Sequence, residues 1–157
     1  MSRLTRPPEP FDPLGIGAQE PLAALHFAFR AIVAEPDAKL ADLGLGRVHH
    51  RILFFIAQRP GLRVVDLTAT LGVSKQALNG PLRELVRRGF VKSRADPSNL
   101  RERKLSLSAL GRALERRLSG PQRRAFAAAF RRAGSGAKRA WLDVMLELIR
   151  TAKQSGP

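Results

Sequence analysis

Hydrophobic positions recur at helical spacing up to about residue 88, alternate with polar ones through a short stretch, and then return to helical spacing. Over 21–35, Leu22, Leu25, Phe29, Ile32 and Val33 fall on one face, with Pro21 suited to a first turn and Pro36 just past the end, which predicts an amphipathic helix. A glycine-containing connection over 42–46 leads to 48–58, where Val48, Ile52, Leu53, Phe55 and Ile56 make a broad apolar face stopped by Pro60-Gly61. Two short helical segments follow, 64–71 and 74–88, separated by Gly72-Val73, a pair that permits a sharp turn. After Gly89 the pattern becomes alternating, with Phe90 and Val91 on one arm and Leu105 and Leu107 on the other of a charged, proline-containing tip, as in a hairpin. Ser108 can cap a further helix carrying Leu110, Leu114 and Leu118 on one face. Gly120-Pro121 breaks or kinks that helix, Phe126 and Phe130 continue the pattern, and Gly134-Ser135-Gly136 ends it. The last helix, about 137–153, carries Trp141, Leu142, Val144, Met145, Leu146, Leu148 and Ile149, more apolar surface than one buried stripe needs, so its excess face is expected to meet another chain.

The 157 residues suit one ordinary domain, and 44% hydrophobic content is enough to close a core without metals or disulfides. The expected division is a flexible proline-rich arm over 1–20, with four prolines in the first thirteen residues, and a single domain over 21–157. A net charge of +15 and a pI near 11.8 point to an anionic partner, a phosphate polymer or an anionic surface. Charged residues interrupt every hydrophobic stretch, which excludes a membrane span, and the absence of cysteine fits a reducing cytoplasm and excludes a thiol-based site.

The order helix, helix, turn, helix, hairpin is that of a winged helix-turn-helix, a mainly α fold with a small β-hairpin. In the 74–88 segment Ser74 is a good N-cap, and Leu78, Leu82, Leu85 and Val86 can pack inward. The opposite face offers Lys75, Gln76, Asn79, Arg83 and Arg87. Amides can pair with the adenine edge and Arg with guanine, whereas Lys75 at the helix start suits phosphate. Such a face is an ordinary solvated surface unless something beside it is also built for nucleic acid. Here the hairpin, with Arg94, Arg101 and Arg103, is cationic too.

Over 67–114 the chain resembles the MarR family of bacterial transcriptional regulators: a helix-turn-helix ending in Gly89-Phe90-Val91, Asp96-Pro97 with Arg101 five residues after Asp96, and Leu107-Ser108-Ala109-Leu110-Gly111 opening the long helix. The resemblance implies a homodimer joined by the helices about 21–36 and 109–154, a DNA-binding lobe about 47–108, recognition helices on palindromic double-stranded DNA, and Arg101 inserted in the minor groove. It also implies a small-molecule effector held near the first two helices, where His26, Arg30, His49 and Arg51 lie. Imidazole and cationic groups beside Phe and Leu suit a small aromatic acid, although the same residues can equally be packed or solvated without a ligand. Two departures stand out. Asn99 replaces the acidic residue that usually helps hold the wing arginine. Pro81 falls inside the recognition helix, so that either the helix kinks there, keeping Gln76 and Asn79 in the groove, or Asn79-Gly80 forms a turn and the helix restarts; the kink is favoured.

No phosphate-binding glycine loop, nucleophile elbow or zinc-protease helix occurs, so no enzyme or cofactor is expected. His49 and His50, as neighbours on a helix, point about 100° apart and cannot easily share a metal. The competing reading is a non-specific, nucleoid-type basic protein, motivated by charge alone.

Overall fold

The computed structural model describes residues 12, 14–16 and 19–154, so the arm expected over 1–20 lies largely outside the described residues. These residues form α1 (Pro21–Asp42), α2 (Arg47–Gln58), β1 (Leu62–Arg63), α3 (Val64–Leu71), α4 (Lys75–Arg87), β2 (Val91–Asp96), β3 (Asn99–Leu107), α5 (Ala109–Ala133) and α6 (Ala137–Gln154). The chain divides into two compact units at Pro121/Gln122.

In the first unit β3 lies between β1 and β2 in an antiparallel sheet of order β1-β3-β2. Ile52, Leu53 and Ile56 of α2, Leu67 of α3, Leu78 and Leu85 of α4, and Leu105 and Leu107 of β3 meet in one buried core, closed by Leu40 of α1 and Leu114 and Leu118 of α5. This core sets α4 against the sheet and leaves its other face in solvent. The hairpin predicted from alternation is present; the two-residue strand β1 was not expected, and it adds a third strand through Leu62 opposite Leu105.

Three prolines lie inside helices among the described residues, and the one that departs from expectation is Pro36. α1 runs past Pro36 to Asp42, because the Pro36 ring is itself fully buried and its packing offsets the lost N–H. α4 continues through Pro81 and α5 through Pro121. In both, the residue before proline is glycine, which lacks the Cβ that would collide with the ring. Gly80 does not adopt positive φ, so Asn79-Gly80 forms no turn and the helix does not restart there.

Two core expectations are corrected. Val86 is 37% exposed, since Leu78 and Leu85 already fill the core side of α4 and Val86 lies at the edge of the groove facing the hairpin. Leu110 is exposed as well. The first turn of α5 meets the core through Gly111, whose position would put a Cβ 2.0 Å from the Phe90 carbonyl oxygen. Ser108 secures this junction: its N–H donates to the Phe90 carbonyl at 3.0 Å, its hydroxyl to the Gly89 carbonyl at 2.6 Å, and its Oγ accepts the Gly111 N–H at 2.9 Å.

In the second unit Phe126 and Phe130 of α5 surround Trp141 of α6, with ring centroids 5.3 and 5.9 Å away. Gly134 and Gly136 take the positive φ angles that the connection requires. Leu142, Val144, Leu146, Leu148 and Ile149 remain exposed, as do Leu22, Leu25 and Phe29 of α1.

Candidate nucleic-acid interface

Ser74 opens α4 as its N-cap, with Oγ accepting the Ala77 N–H at 3.1 Å. Helical periodicity then turns Lys75, Gln76, Asn79, Arg83 and Arg87 outward while Leu78 and Leu85 are buried, so all five are exposed on the face away from the core. Lys75, Gln76 and Asn79 line a concavity of about 380 Å³, and Asn79, Arg83 and Arg87 border a groove of about 710 Å³ whose far wall is Ser93 and Arg103 of the hairpin. Helix and wing residues from separate parts of the sequence are thus gathered along one surface.

These cations differ in how firmly they are held. Arg103 donates from Nε to Ser93 Oγ at 2.7 Å and from Nη2 to the Ser93 carbonyl at 2.6 Å, which fixes it across the hairpin. Arg87 pairs with Glu84 at 2.7 Å; this hydrogen bond holds Glu84 below the usual carboxylate range and raises Arg87. An exposed pair of this kind is a weak restraint that a phosphate can displace. Among the described residues, Lys75, Gln76, Asn79, Arg83, Arg94 and Arg101 have no side-chain hydrogen-bond or ion-pair partner. Their donors are available to an incoming acceptor.

The wing tip is held by a pair that does not involve Arg101. Asp96 is buried to 6% exposure, receives Lys104 Nζ at 2.9 Å, and accepts from the Ser98 N–H at 3.0 Å and hydroxyl at 2.8 Å. The Lys104 hydrogen bond, with those from Ser98, brings its carboxyl down to about 2. Asn99 accepts the Arg101 backbone N–H at 3.2 Å, leaving the guanidinium exposed. Arg63 donates to Asp66 at 2.8 and 2.9 Å and to Glu102 at 3.2 Å, tying α3 to the tip-side half of β3; Asp66 is the main cause of its raised pKa. Sequence reasoning missed Arg63 and Lys104. The signal for the tip was Asp96-Pro97-Ser98, a turn-forming tripeptide.

The four effector candidates are not gathered in this way. His26, Arg30 and Arg51 are exposed. His49 Nδ1 accepts the Gly46 N–H at 3.0 Å and so caps α2; burial lowers its pKa first, and Arg88 lowers it further against the charge of Glu84. His50, not His49, reaches α5, with Nε2 3.0 Å from Ser119 Oγ. Among the described residues no cluster of three His, Asp or Glu could hold a metal, and no helix is long and apolar enough to cross a membrane.

Comparison with known proteins agrees with this architecture. The MarR family model matches residues 43–102. The chain is 44% identical over 131 residues to the HTH-type transcriptional regulator PetP of Rhodobacter capsulatus, covering 83% of this chain and 79% of that protein. It is 31% identical over 138 residues to the HTH-type transcriptional repressor Rv2887 of Mycobacterium tuberculosis, covering 78% and 99%. The crystal structure of Rv2887 in complex with salicylic acid superposes with a TM-score of 0.55 at 29% identity, covering 83% of this chain and 98% of that one. A regulator from Silicibacter pomeroyi, 19% identical and covering 86% and 91%, shares the fold with a TM-score of 0.71. With α4, β2 and the start of β3 inside the family match and a 44% identical relative covering 83% of the chain, the chain belongs to the MarR family of DNA-binding transcriptional regulators.

Proposed function

We propose that this chain is a repressor that binds a palindromic operator as a homodimer and releases it on binding a small-molecule effector. The observation that carries the reading is the groove in which Asn79, Arg83 and Arg87 of α4 face Arg103 of the hairpin, with Lys75 and Gln76 in a concavity that shares Asn79 and with Arg94 and Arg101 exposed on the hairpin strands. The unpaired amides of Gln76 and Asn79 and the unpaired Arg83 guanidinium, on a helix flanked by a cationic wing, suit base edges in a major groove and phosphates or a minor groove beside it. In this reading Gln76, Asn79 and Arg83 read bases, Ser74, Lys75 and Arg87 contact phosphate, and Arg94, Arg101 and Arg103 anchor the wing. The DNA-binding lobe is about 47–108. The exposed apolar residues of α1 and α6 supply the dimer surface, which sets two half-sites roughly one helical turn, about 10 bp, apart. Absence of a membrane-crossing helix among the described residues is compatible with action in the cytoplasm.

For the effector, a small aromatic acid is the class proposed, supported by the salicylic acid complex of the relative Rv2887 and by the cationic and imidazole groups His26, Arg30, His49 and Arg51 on α1 and α2. A second reading, a non-specific nucleic-acid-binding protein, is favoured only by the net charge of +15.

The test is a titration of operator DNA, selected by the wild-type protein from a random pool, against Arg83→Ala and Arg101→Ala variants over a range of salt. Loss of a base contact should weaken selected DNA by about tenfold or more and relax sequence preference at one position in each half-site. Affinity unchanged in Arg101→Ala would refute the wing assignment.

A further inference from the structure

The polypeptide leaves α4 through Arg88, whose backbone N–H closes the helix on the Glu84 carbonyl at 2.9 Å. Its side chain runs back across the lobe. Nη1 donates to the Leu43 carbonyl at 2.8 Å, and the guanidinium carbon lies 5.4 Å from the Phe90 ring centroid. Leu43 is the C-cap of α1, where helix carbonyls lack partners within the helix and the dipole favours a cation, so this bond is charge-assisted and shielded by an aromatic face. Glu84 lies on the same side, 3.7 Å from Arg88 Nη1. Phe90 in turn is fixed to the start of α5, because its carbonyl accepts the Ser108 N–H and abuts Gly111. The exit of α4 is therefore held between the end of α1 and the beginning of α5.

That end controls the other by leverage. Gln76 precedes Arg88 by twelve residues, roughly 18 Å along a helix, so a tilt of roughly 5° at Arg88 displaces Gln76 by roughly 1.6 Å. Paired hydrogen bonds to a base edge tolerate roughly 0.5 Å. We propose that Arg88 is a positioning residue for DNA reading: by gripping the Leu43 carbonyl it sets the angle at which α4 presents Gln76, Asn79 and Arg83, without itself meeting DNA. This rests on the base-reading role proposed above for α4.

The experiment uses the full chain, the duplex selected by the wild-type protein and a random duplex of equal length, with Arg88→Met and Arg88→Lys variants titrated over a range of salt and their thermal unfolding followed. Arg88→Met keeps the stem but loses the donors and the charge; Arg88→Lys keeps a donor able to reach the Leu43 carbonyl. The expected result is a loss of about tenfold or more for the selected duplex in Arg88→Met, at unchanged salt slope, with random-duplex affinity within about twofold of wild type and most of the loss recovered in Arg88→Lys. A salt slope reduced by about one, with both duplexes weakened together, would overturn the inference by making Arg88 a phosphate contact. So would wild-type affinity in Arg88→Met, or parallel loss of folding and of both affinities. Failure of the wild-type protein itself to select any sequence would remove the base-reading proposal and this inference with it, and is seen before any variant is made.

Discussion

Gly111→Ala tests the junction between the wing and the long helix. A Cβ at residue 111 falls 2.0 Å from the Phe90 carbonyl oxygen and 2.9 Å from the carbonyl carbon, both backbone atoms that no rotamer change can move. Ordinary Cβ contacts begin near 3.4 Å, so α5 and the Phe90 segment must separate by more than an ångström. That separation stretches the Ser108 bonds to Gly89 and Phe90, which are 2.6 and 3.0 Å long. Overpacking of this kind costs about 3 kcal/mol or more. Replacing a helical glycine by alanine returns about 1 kcal/mol. The net loss is about 2 kcal/mol, which for a chain of this length lowers Tm by about 6 °C at fixed protein concentration. Ser108→Ala, which removes the cap but adds no atom, should cost about 1 kcal/mol. Thermal and urea unfolding of both variants beside the wild-type protein supply the comparison. An alanine at 111 that leaves Tm unchanged or raises it would refute the packing argument.

Three other perturbations have defined outcomes. Pro81→Ala restores an N–H to the Ala77 carbonyl at a half-buried site and should stabilise the protein by about 2 kcal/mol, after allowing for the freer unfolded chain; a lower Tm would contradict a proline tolerated at a cost within α4. Asp96 titrates near 2 when folded against 3.8 for its ordinary carboxyl, so its contribution is complete above pH 4 and disappears as pH falls through 2. The Tm gap between wild type and Asp96→Asn should therefore narrow from pH 5 to pH 2, and a constant gap would deny the Lys104 pairing its role. His49 acts with the same sign at higher pH: with its folded pKa below 6.5, the folded state binds fewer protons, and stability falls as pH drops below about 7. Gln at position 49 can still accept the Gly46 N–H, so His49→Gln should keep the cap while flattening stability between pH 7 and 5; an unaltered profile would assign the dependence elsewhere.

The sequence disclosed helices and hairpin because their apolar residues line one core, and the period changes where the backbone does. Leu78 and Leu85 share a helical face, whereas Leu105 and Leu107 alternate, and both pairs are buried. It misled at Pro36, beyond which the helix runs on. A buried ring there and a preceding glycine at Pro81 and Pro121 let the helices continue, and only at Pro36 does tertiary packing decide that outcome. The exposed face of α4 was legible from spacing, and the groove gathers Asn79, Arg83 and Arg87 from it. What was hidden depends on distant pairs: Arg63 with Glu102, 39 residues away, and Arg88 with Leu43, 45 residues away, have no periodic signature. Asp96 with Lys104 is hidden for a related reason, since the hairpin register sets Lys104 opposite Arg94 and the ion pair runs diagonally across the strands. The apolar surplus of α6 was visible in composition and remains exposed in the single chain.

The central claim is that this surface reads a sequence and does more than neutralise phosphate. Competition measures it directly: labelled duplex selected by this chain is challenged with unlabelled copies of itself and with random duplex at physiological salt. The account expects the random duplex to be needed at about a thousandfold excess or more over the selected one for equal displacement. Equal competition by the two duplexes would contradict it and leave the charge of the chain as the whole basis of binding.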